Sequence, residues 1–278
     1  MRKQGTIAHP VSLHGRGFIL DRETALKLSP AEASTGFRFV RTDLQGQPSV
    51  TAHPRYLRSA PNCTVLEDGD ARVMVVEHLL AACWALGVSN LIIEVDAPEI
   101  PTLDGSALPF AEKLESAGII TQDATIPQIA LHAPVVVSED GGKLLIAFPA
   151  GSFRLSYLLH YPDLPEVGTD FLVITGELEQ LRRELLPART FIPEQEARRL
   201  LQQGLIRSTD ESMGVVIHPG HTPQMRLPHE LVRHKILDLL GDLAILGCEF
   251  RAQFLGIMSG HHLNARLIQA LAARYPHH

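Results

Sequence analysis

Two stretches of the chain combine a helical repeat of apolar residues with polar residues set in one row. In HKILDLLGDLAILG, residues 234–247, Ile236, Leu237, Leu240, Leu243 and Ala244 recur every three or four positions, so the segment reads as a helix. His234, Asp238 and Asp242 stand four apart and share one face of that helix. VVEHLLAACWALG reads as a second helix, closed by Gly87, with Glu77-His78 near its start. LPFAEKLESAG, GELEQLRRELLPA, EQEARRLLQQG and HLNARLIQALAARY complete the predicted helices.

Between them lie runs with strand character. The first seventy residues read as short strands and turns (TIAHPVSL, TALKLSP, GFRFVRT), and NLIIEVDA is short and β-branched enough to be a buried strand. IALHAPVVVSEDGGKLLIAFPA reads as a hairpin turning at Asp140-Gly141-Gly142. GSFRLSYLLHY, DFLVITG, MGVVIHPG and FRAQFLGIMSG follow as strands, and GIITQDATIPQ is the best linker. Residues 75–118 run helix, strand, helix, and residues 232–275 do the same, each beginning with a histidine (VEHLL, VRHKI). This order predicts an α+β protein of two related units, residues 1–122 and 127–278, each a sheet with packed helices. A pseudo-twofold between them would bring His78 and His234 together.

Composition narrows the setting. With 278 residues, 45% hydrophobic and 20% charged, the chain suits a soluble protein with a sizeable core. A net charge of −6 speaks against bulk attraction to nucleic acid. The three cysteines form no C-x-x-C pair, which argues against a disulfide framework or a cysteine zinc site. No apolar stretch is long enough for a membrane span and the N-terminus lacks a signal-peptide core, so the expectation is a cytoplasmic protein.

The chemistry rests on the polar row. A histidine and an aspartate at i and i+4 supply two ligands of a three-ligand divalent metal site; the plainer alternative is a His–Asp pair on a partly exposed face. Glu77-His78 offers a third ligand with a carboxylate beside it, or else a surface pair at a helix start. His78, His234 and Asp238 together would leave a coordination position for water, the mark of a catalytic rather than structural site. Glu77 is then the candidate general base. In SGHHLN, His261 or His262 is a candidate general acid held by Asp242. Lys235 adds positive charge next to the metal face. The residues alone point to a metal-assisted hydrolase, without naming its substrate.

The motifs VEHLLAA, NLIIEVDAPEIPTLDGSALPF, ARTF, VRHKILDLLGDL and SGHHLN resemble those of the UDP-3-O-acyl-N-acetylglucosamine deacetylases, amidases of lipid A biosynthesis, in order along most of the chain. The resemblance implies two α+β domains whose helical layers are sandwiched between their two sheets, with an insert around residues 190–225 in the second. It implies Zn2+ on His78, His234 and Asp238, although two histidines and a carboxylate also suit Fe2+. It implies Glu77 as base, His261 as acid supported by Asp242, Lys235 at the reacting region, and Thr190 as donor to the oxyanion. Phe191 would line the substrate path and Tyr161 would contact the substrate. The expected partner is an acylated UDP-amino sugar, with no nucleic acid and no membrane segment, and the expected state is a monomer. The alternatives are a related deacetylase for a sugar with a short or absent acyl chain, and a non-catalytic metal- or ligand-binding homologue.

Three stretches depart from the family pattern. GLIRSTDESMGVVI, residues 204–217, replaces a glycine-rich run, and Arg207, Ser208 and Thr209 fall where the resemblance implies an apolar acyl passage. The passage is either shortened there or left open with Arg207 turned to solvent. Met258 stands where the family carries a cation near the nucleotide phosphates, leaving Arg251 and Arg266 as substitutes. LLHYPDLP, residues 158–165, shifts the family's aromatic-x-His-Pro pattern around Tyr161.

Overall fold

The structure is a computed structural model that describes residues 2–58, 60, 62–204, 206, 211–221 and 223–275. Two sheets dominate the α+β architecture. The first runs in spatial order Val11–Arg16, Glu23–Pro30, Leu91–Val95, Phe37–Arg41, Ser49–Thr51. Its central strand pairs antiparallel on one side (Leu28 opposite Ile93) and parallel on the other (Phe39 opposite Ile93). That strand is buried on one face only. Leu91, Ile93 and Val95 enter the core, while Glu94 faces outward and pairs with Lys27 at 2.7 Å. The expected buried strand is thus found, with Leu91, Ile93 and Val95 in the core and Ile92 and Glu94 half-buried on the other face, an alternation the apolar run LII conceals.

The second sheet orders Val135–Glu139, Lys143–Pro149, Glu249–Ile257, Arg154–Tyr161 and Gly168–Thr175, with Gln128–Ala130 alongside Glu249–Ile257. The expected hairpin forms at 140–142, where Gly141 and Gly142 take positive φ values of 77° and 79°, a conformation that favours glycine. Ile119–Thr125, read from sequence as a linker, is instead a strand paired antiparallel with Lys3–Ile7. Its T-Q-D centre carries a loop-like composition. Pairing in a two-stranded ribbon, with Ile119 and Ile120 left exposed, demands little of the local sequence.

Six α-helices are found among the described residues: α1 Glu77–Leu86, α2 Leu108–Ser116, α3 Leu178–Glu184, α4 Glu194–Gln202, α5 Glu230–Ala244 and α6 His261–Arg274. α1 packs directly on α5. α1 also touches α2 and α3, while α5 touches α6 and the strand Arg154–Tyr161. Because α1 lies in the middle of the molecule, Glu77 through Ala85 are all buried. This explains a helix that is apolar around nearly its whole circumference. Leu79, Leu80, Leu237 and Leu240 are fully buried, and each contributes about 1.5–3 kcal/mol of apolar burial. The helix–strand–helix order predicted for both halves is found at α1, Leu91–Val95, α2 and at α5, Glu249–Ile257, α6.

Candidate metal centre

Both middle helices carry their polar residues to their mutual contact. α1 begins at Glu77, two residues after Val75, which holds a φ of +63° despite its β-branched side chain. Such a conformation costs on the order of 1–3 kcal/mol and is sustained by its surroundings; here the Val75 amide donates to the Thr64 carbonyl at 2.9 Å. Glu77 and His78 therefore occupy the first turn of α1, facing α5. Helix α5 starts four residues earlier than the apolar pattern alone requires, at Glu230, so His234 and Asp238 lie well inside it, with Asp242 in its last turn.

His78 Nε2 and His234 Nε2 are 3.1 Å apart, and Asp238 Oδ1 lies 3.5 Å and 3.3 Å from them. All three side chains are buried, and Asp238 Oδ1 has no hydrogen-bond donor. Burial drives His234 well below the usual histidine range, keeping it neutral as a ligand must be. Burial pushes Asp238 upward, but the Lys235 ammonium hydrogen-bonded to it opposes this, and the carboxylate stays ionised, well below its usual range. A tetrahedral cation with bonds of about 2.05 Å places its ligands about 3.3 Å apart. The three donor atoms match that spacing, so the donor set fits a divalent cation.

Around it stand the other expected residues. His261 Nε2 lies 3.8 Å from Glu77 Oε1, and its Nδ1 lies 3.3 Å from Asp242 Oδ2. Burial pushes Glu77 up to about 7, countered in part by His261 and reinforced by Asp242. Burial works against the charge on His261, but Glu77 and Asp242 raise it to about 9. The pair SGHHL is thereby resolved: His261 points inward, and His262 is exposed against Glu139 at 3.0 Å. Lys235 Nζ donates to Asp238 Oδ2 at 2.8 Å and lies 5.5 Å from the centre of the Phe191 ring. Phe191 meets His234 and Tyr161 edge to face, at 5.9 Å and 6.1 Å between ring centres.

Thr190 is threaded between two glycines. Its amide donates to the Gly105 carbonyl at 2.7 Å, and a Cβ on Gly214 would meet Thr190 Cγ2 at 2.9 Å. Thr190, Phe191 and Tyr161 line one cavity of about 650 Å³ with Glu77, His78, His234, Lys235, Asp238 and His261. Much of the remaining wall is apolar: Phe18, Ile19, Ile192, Leu200, Ile206, Val215 and Val216. Arg207, Ser208 and Thr209 lie outside the described residues.

Met258 lines this cavity with Lys143 and Arg72, whereas the two arginines expected to substitute for it do not. Arg266 donates to the Ser138 carbonyl at 2.8 Å and Arg251 faces the Gly151 carbonyl, so that expectation is corrected.

Sequence reading missed several polar neighbours. Thr64 joins Glu77, Asp242 and His261, yet it follows a stretch of turns with no periodicity to mark it. Asn264 donates to Asp242 Oδ2 at 2.7 Å, three residues beyond His261 and one helical turn away. The Tyr157 hydroxyl, raised to about 12 mainly by burial, donates to the Ser259 carbonyl just ahead of α6. Buried Glu230 accepts from the amides of Arg189 and Arg226 and from the Arg189 guanidinium, fixing the segment that carries Thr190 against the start of α5.

The family model described as UDP-3-O-acyl N-acetylglycosamine deacetylase matches residues 4–273. Among curated relatives named UDP-3-O-acyl-N-acetylglucosamine deacetylase, the Thermosynechococcus vestitus protein is 37% identical over 271 residues, covering 97% of this chain and 94% of its own. The Chlamydia felis protein is 37% identical over 271 residues, covering 96% and 95%. The Phenylobacterium zucineum protein is 37% identical over 276 residues, covering 98% and 94%. A buried His–His–Asp set beside a carboxylate and an imidazole, in a chain that aligns with these relatives nearly end to end, leads to one conclusion: the chain belongs to the UDP-3-O-acyl-N-acetylglucosamine deacetylase family.

Proposed function

We propose that the chain hydrolyses the acetamide of UDP-3-O-acyl-N-acetylglucosamine, releasing acetate and the free amine, as a step of lipid A biosynthesis. The observation that carries this reading is the convergence of His78 Nε2, His234 Nε2 and Asp238 Oδ1 within 4.8 Å of one another, beside Glu77 and His261. We assign the ion as zinc, with iron(II) the alternative for the same donors. Bound there, the cation supplies Lewis acidity and lowers the pKa of water. Glu77 accepts the proton of the water that attacks the acetyl carbon. The Thr190 hydroxyl donates to the oxygen on which negative charge gathers. His261 delivers a proton from Nε2 to the sugar nitrogen as the C–N bond breaks. Lys235, anchored by Asp238 and lying beside Phe191, adds positive charge at the reacting end.

The apolar wall of the cavity is assigned to the acyl chain, which favours an acylated substrate over one with a short or absent chain. Lys143 and Arg72 are then the cations available to the diphosphate. Every proposed group comes from a single chain, consistent with action as a monomer. We assign Glu77 and His78 to the first unit and His234, Asp238 and His261 to the second; the pairing of Ile119–Thr125 with Lys3–Ile7 supports counting that strand with the first unit. No helix among the described residues is long and apolar enough to cross a membrane. A UDP-linked substrate places the reaction in the cytoplasm, where nucleotide sugars are made.

The test is direct. Purified protein loaded with zinc is incubated with UDP-3-O-acyl-N-acetylglucosamine and assayed for acetate and the free amine. Stoichiometric release that stops on chelation and returns with zinc is expected. No release, with metal bound and the fold intact, would remove the assignment.

A further inference from the structure

The proposed base and proposed acid sit on different helices, α1 and α6, and one small residue touches both. Thr64 is 3% exposed and lies outside every helix, immediately before the strand Val65–Asp68. Its amide donates to Glu77 Oε2 at 3.1 Å. Its hydroxyl contacts Asp242 Oδ1 and stands 3.1 Å from His261 Nδ1. The Thr64 carbonyl receives the amide of Val75, so the residue is tied to the strained turn that leads into α1.

Hydrogen-bond direction gives this cluster a consequence. An ionised carboxylate only accepts, so the single hydroxyl proton of Thr64 goes to Asp242. The oxygen then presents a lone pair to His261, and Nδ1 must be the donor. Asp242 Oδ2, 3.3 Å from Nδ1, also accepts and receives Asn264 as well. Nδ1 thus keeps its proton whatever the charge of the ring. Nε2, 3.8 Å from Glu77 Oε1, is left as the nitrogen that gains and loses one.

We propose that Thr64 is a positioning residue. Its amide sets the Glu77 carboxylate, and its hydroxyl orients His261 by accepting from Nδ1 and donating to Asp242. The inference deepens the deacetylase reading and rests on it for the identities of base and acid. Thr64 touches neither the metal ligands nor the substrate path directly, and it acts through the two residues that do the proton transfers.

The test compares Thr64→Val, which keeps the shape and the backbone amide but removes the hydroxyl, with Thr64→Ser, which restores it. Both are prepared as zinc-loaded protein and assayed on UDP-3-O-acyl-N-acetylglucosamine. Thr64→Val is expected to lower kcat by about ten- to a hundredfold, the scale of one lost charge-assisted hydrogen bond, with KM within about twofold. Thr64→Ser is expected to recover most of that loss. Zinc content is expected to be the same in all three proteins. A second readout does not depend on turnover. The downfield Nδ1–H proton of His261, identified by its absence in His261→Gln, should be observed by NMR at one position in wild type and Thr64→Ser and should shift in Thr64→Val, where only Asp242 Oδ2 is left to accept it. Equal losses in both variants, or wild-type kcat in Thr64→Val, would overturn the proposal, as would an unchanged Nδ1–H signal. If wild type fails to deacetylate the substrate, the functional reading falls, and the proton signal still decides whether Thr64 orients His261.

Discussion

Gly241 of α5 faces Glu77 of α1 so closely that a Cβ on the glycine would sit 1.9 Å from the Glu77 carbonyl oxygen. The two helices meet backbone to backbone at this point. The same contact brings His78 within reach of His234 and Asp238. Gly241→Ala must therefore spread α1 from α5, and both the fold and the metal site respond. A loss of about 3 kcal/mol is expected, the upper part of the range for overpacking a core. For a chain of this size that lowers Tm by about 6–10 °C. Zinc content should fall in the same preparation. A variant with wild-type Tm and full metal would show that the helices have slack the geometry does not suggest.

Metal occupancy should follow the three ligands and not their neighbours. His78→Ala, His234→Ala and Asp238→Ala are each expected to reduce bound zinc, measured by elemental analysis after dialysis, well below one per chain. Glu77→Gln should retain it while turnover drops by several orders of magnitude. Because the ion binds only the assembled site, chelation should also lower the wild-type Tm, and excess zinc should raise it. Full zinc retention in the alanine variants would place the ion elsewhere.

The pH dependence follows from Glu77 and His261. Burial raises Glu77 to about 7, and a base must be ionised, so kcat/KM is expected to climb with pH through an acidic limb near that value. His261, raised to about 9 by Glu77 and Asp242 against its burial, must be protonated as the acid, so activity falls above that value. A cation beside both groups favours the deprotonated form of each, and the limbs of the loaded enzyme lie at or below these figures. Stability carries the opposite sign for Glu77. Its folded pKa lies above the unfolded one, so ionisation costs stability progressively from about pH 4.5 to 7. Metal-free Glu77→Gln should accordingly melt higher than metal-free wild type at pH 8, with the difference vanishing below pH ~4.5. An acidic limb that persists in residual Glu77→Gln activity would assign it to another group.

These residues differ in how far the sequence alone reveals them. His234 and Asp238 are visible because helical periodicity puts i and i+4 on one face whatever the tertiary structure. His78 becomes visible only once the two halves are seen to repeat. Thr64 leaves no such trace. It acts from an irregular segment, and its partners lie 13, 178 and 197 positions away. Glu230 is hidden in the same way, since its acceptors serve amides 41 and 4 residues distant. The ribbon of Lys3–Ile7 with Ile119–Thr125 escaped notice because a two-stranded edge tolerates polar composition. Pattern reports which face a residue occupies, and only the fold reports what meets it.

Glu230 yields a separate prediction. Its carboxylate is fully buried against Arg189 at 2.8 Å, and its two oxygens receive three further N–H donors. Glu230→Ala strands the Arg189 charge and frees the backbone amides of Arg189, just before Thr190, and of Arg226. Removing one partner of a buried pair costs about 3–5 kcal/mol. Glu230→Gln keeps the shape and one acceptor and should lose less. Thermal melts check the order. A Glu230→Ala protein as stable as wild type would show that the loop before α5 does not depend on this carboxylate.

The apolar wall of the cavity sets an expectation for chain-length selectivity. Leu200 is 4% exposed and packs with Ala197, Ile206, Phe18 and Ile192, far in character from the ligand cluster. Leu200→Trp adds bulk to this wall without touching a proposed proton-transfer group. If the acyl chain lies here, each methylene displaced from the wall forfeits about 0.8 kcal/mol. Losing three or four methylenes then raises KM for a long-chain substrate by about a hundredfold, because 1.4 kcal/mol is a factor of ten. A substrate with a chain too short to reach Leu200 should keep its KM, and kcat should hold for both. The measurement is a pair of Michaelis curves, long chain and short, on wild type and variant. Equal effects on both substrates would place the acyl chain outside this pocket, while a selective effect ties the length of the bound chain to α4 and the strand Phe191–Pro193 beside it.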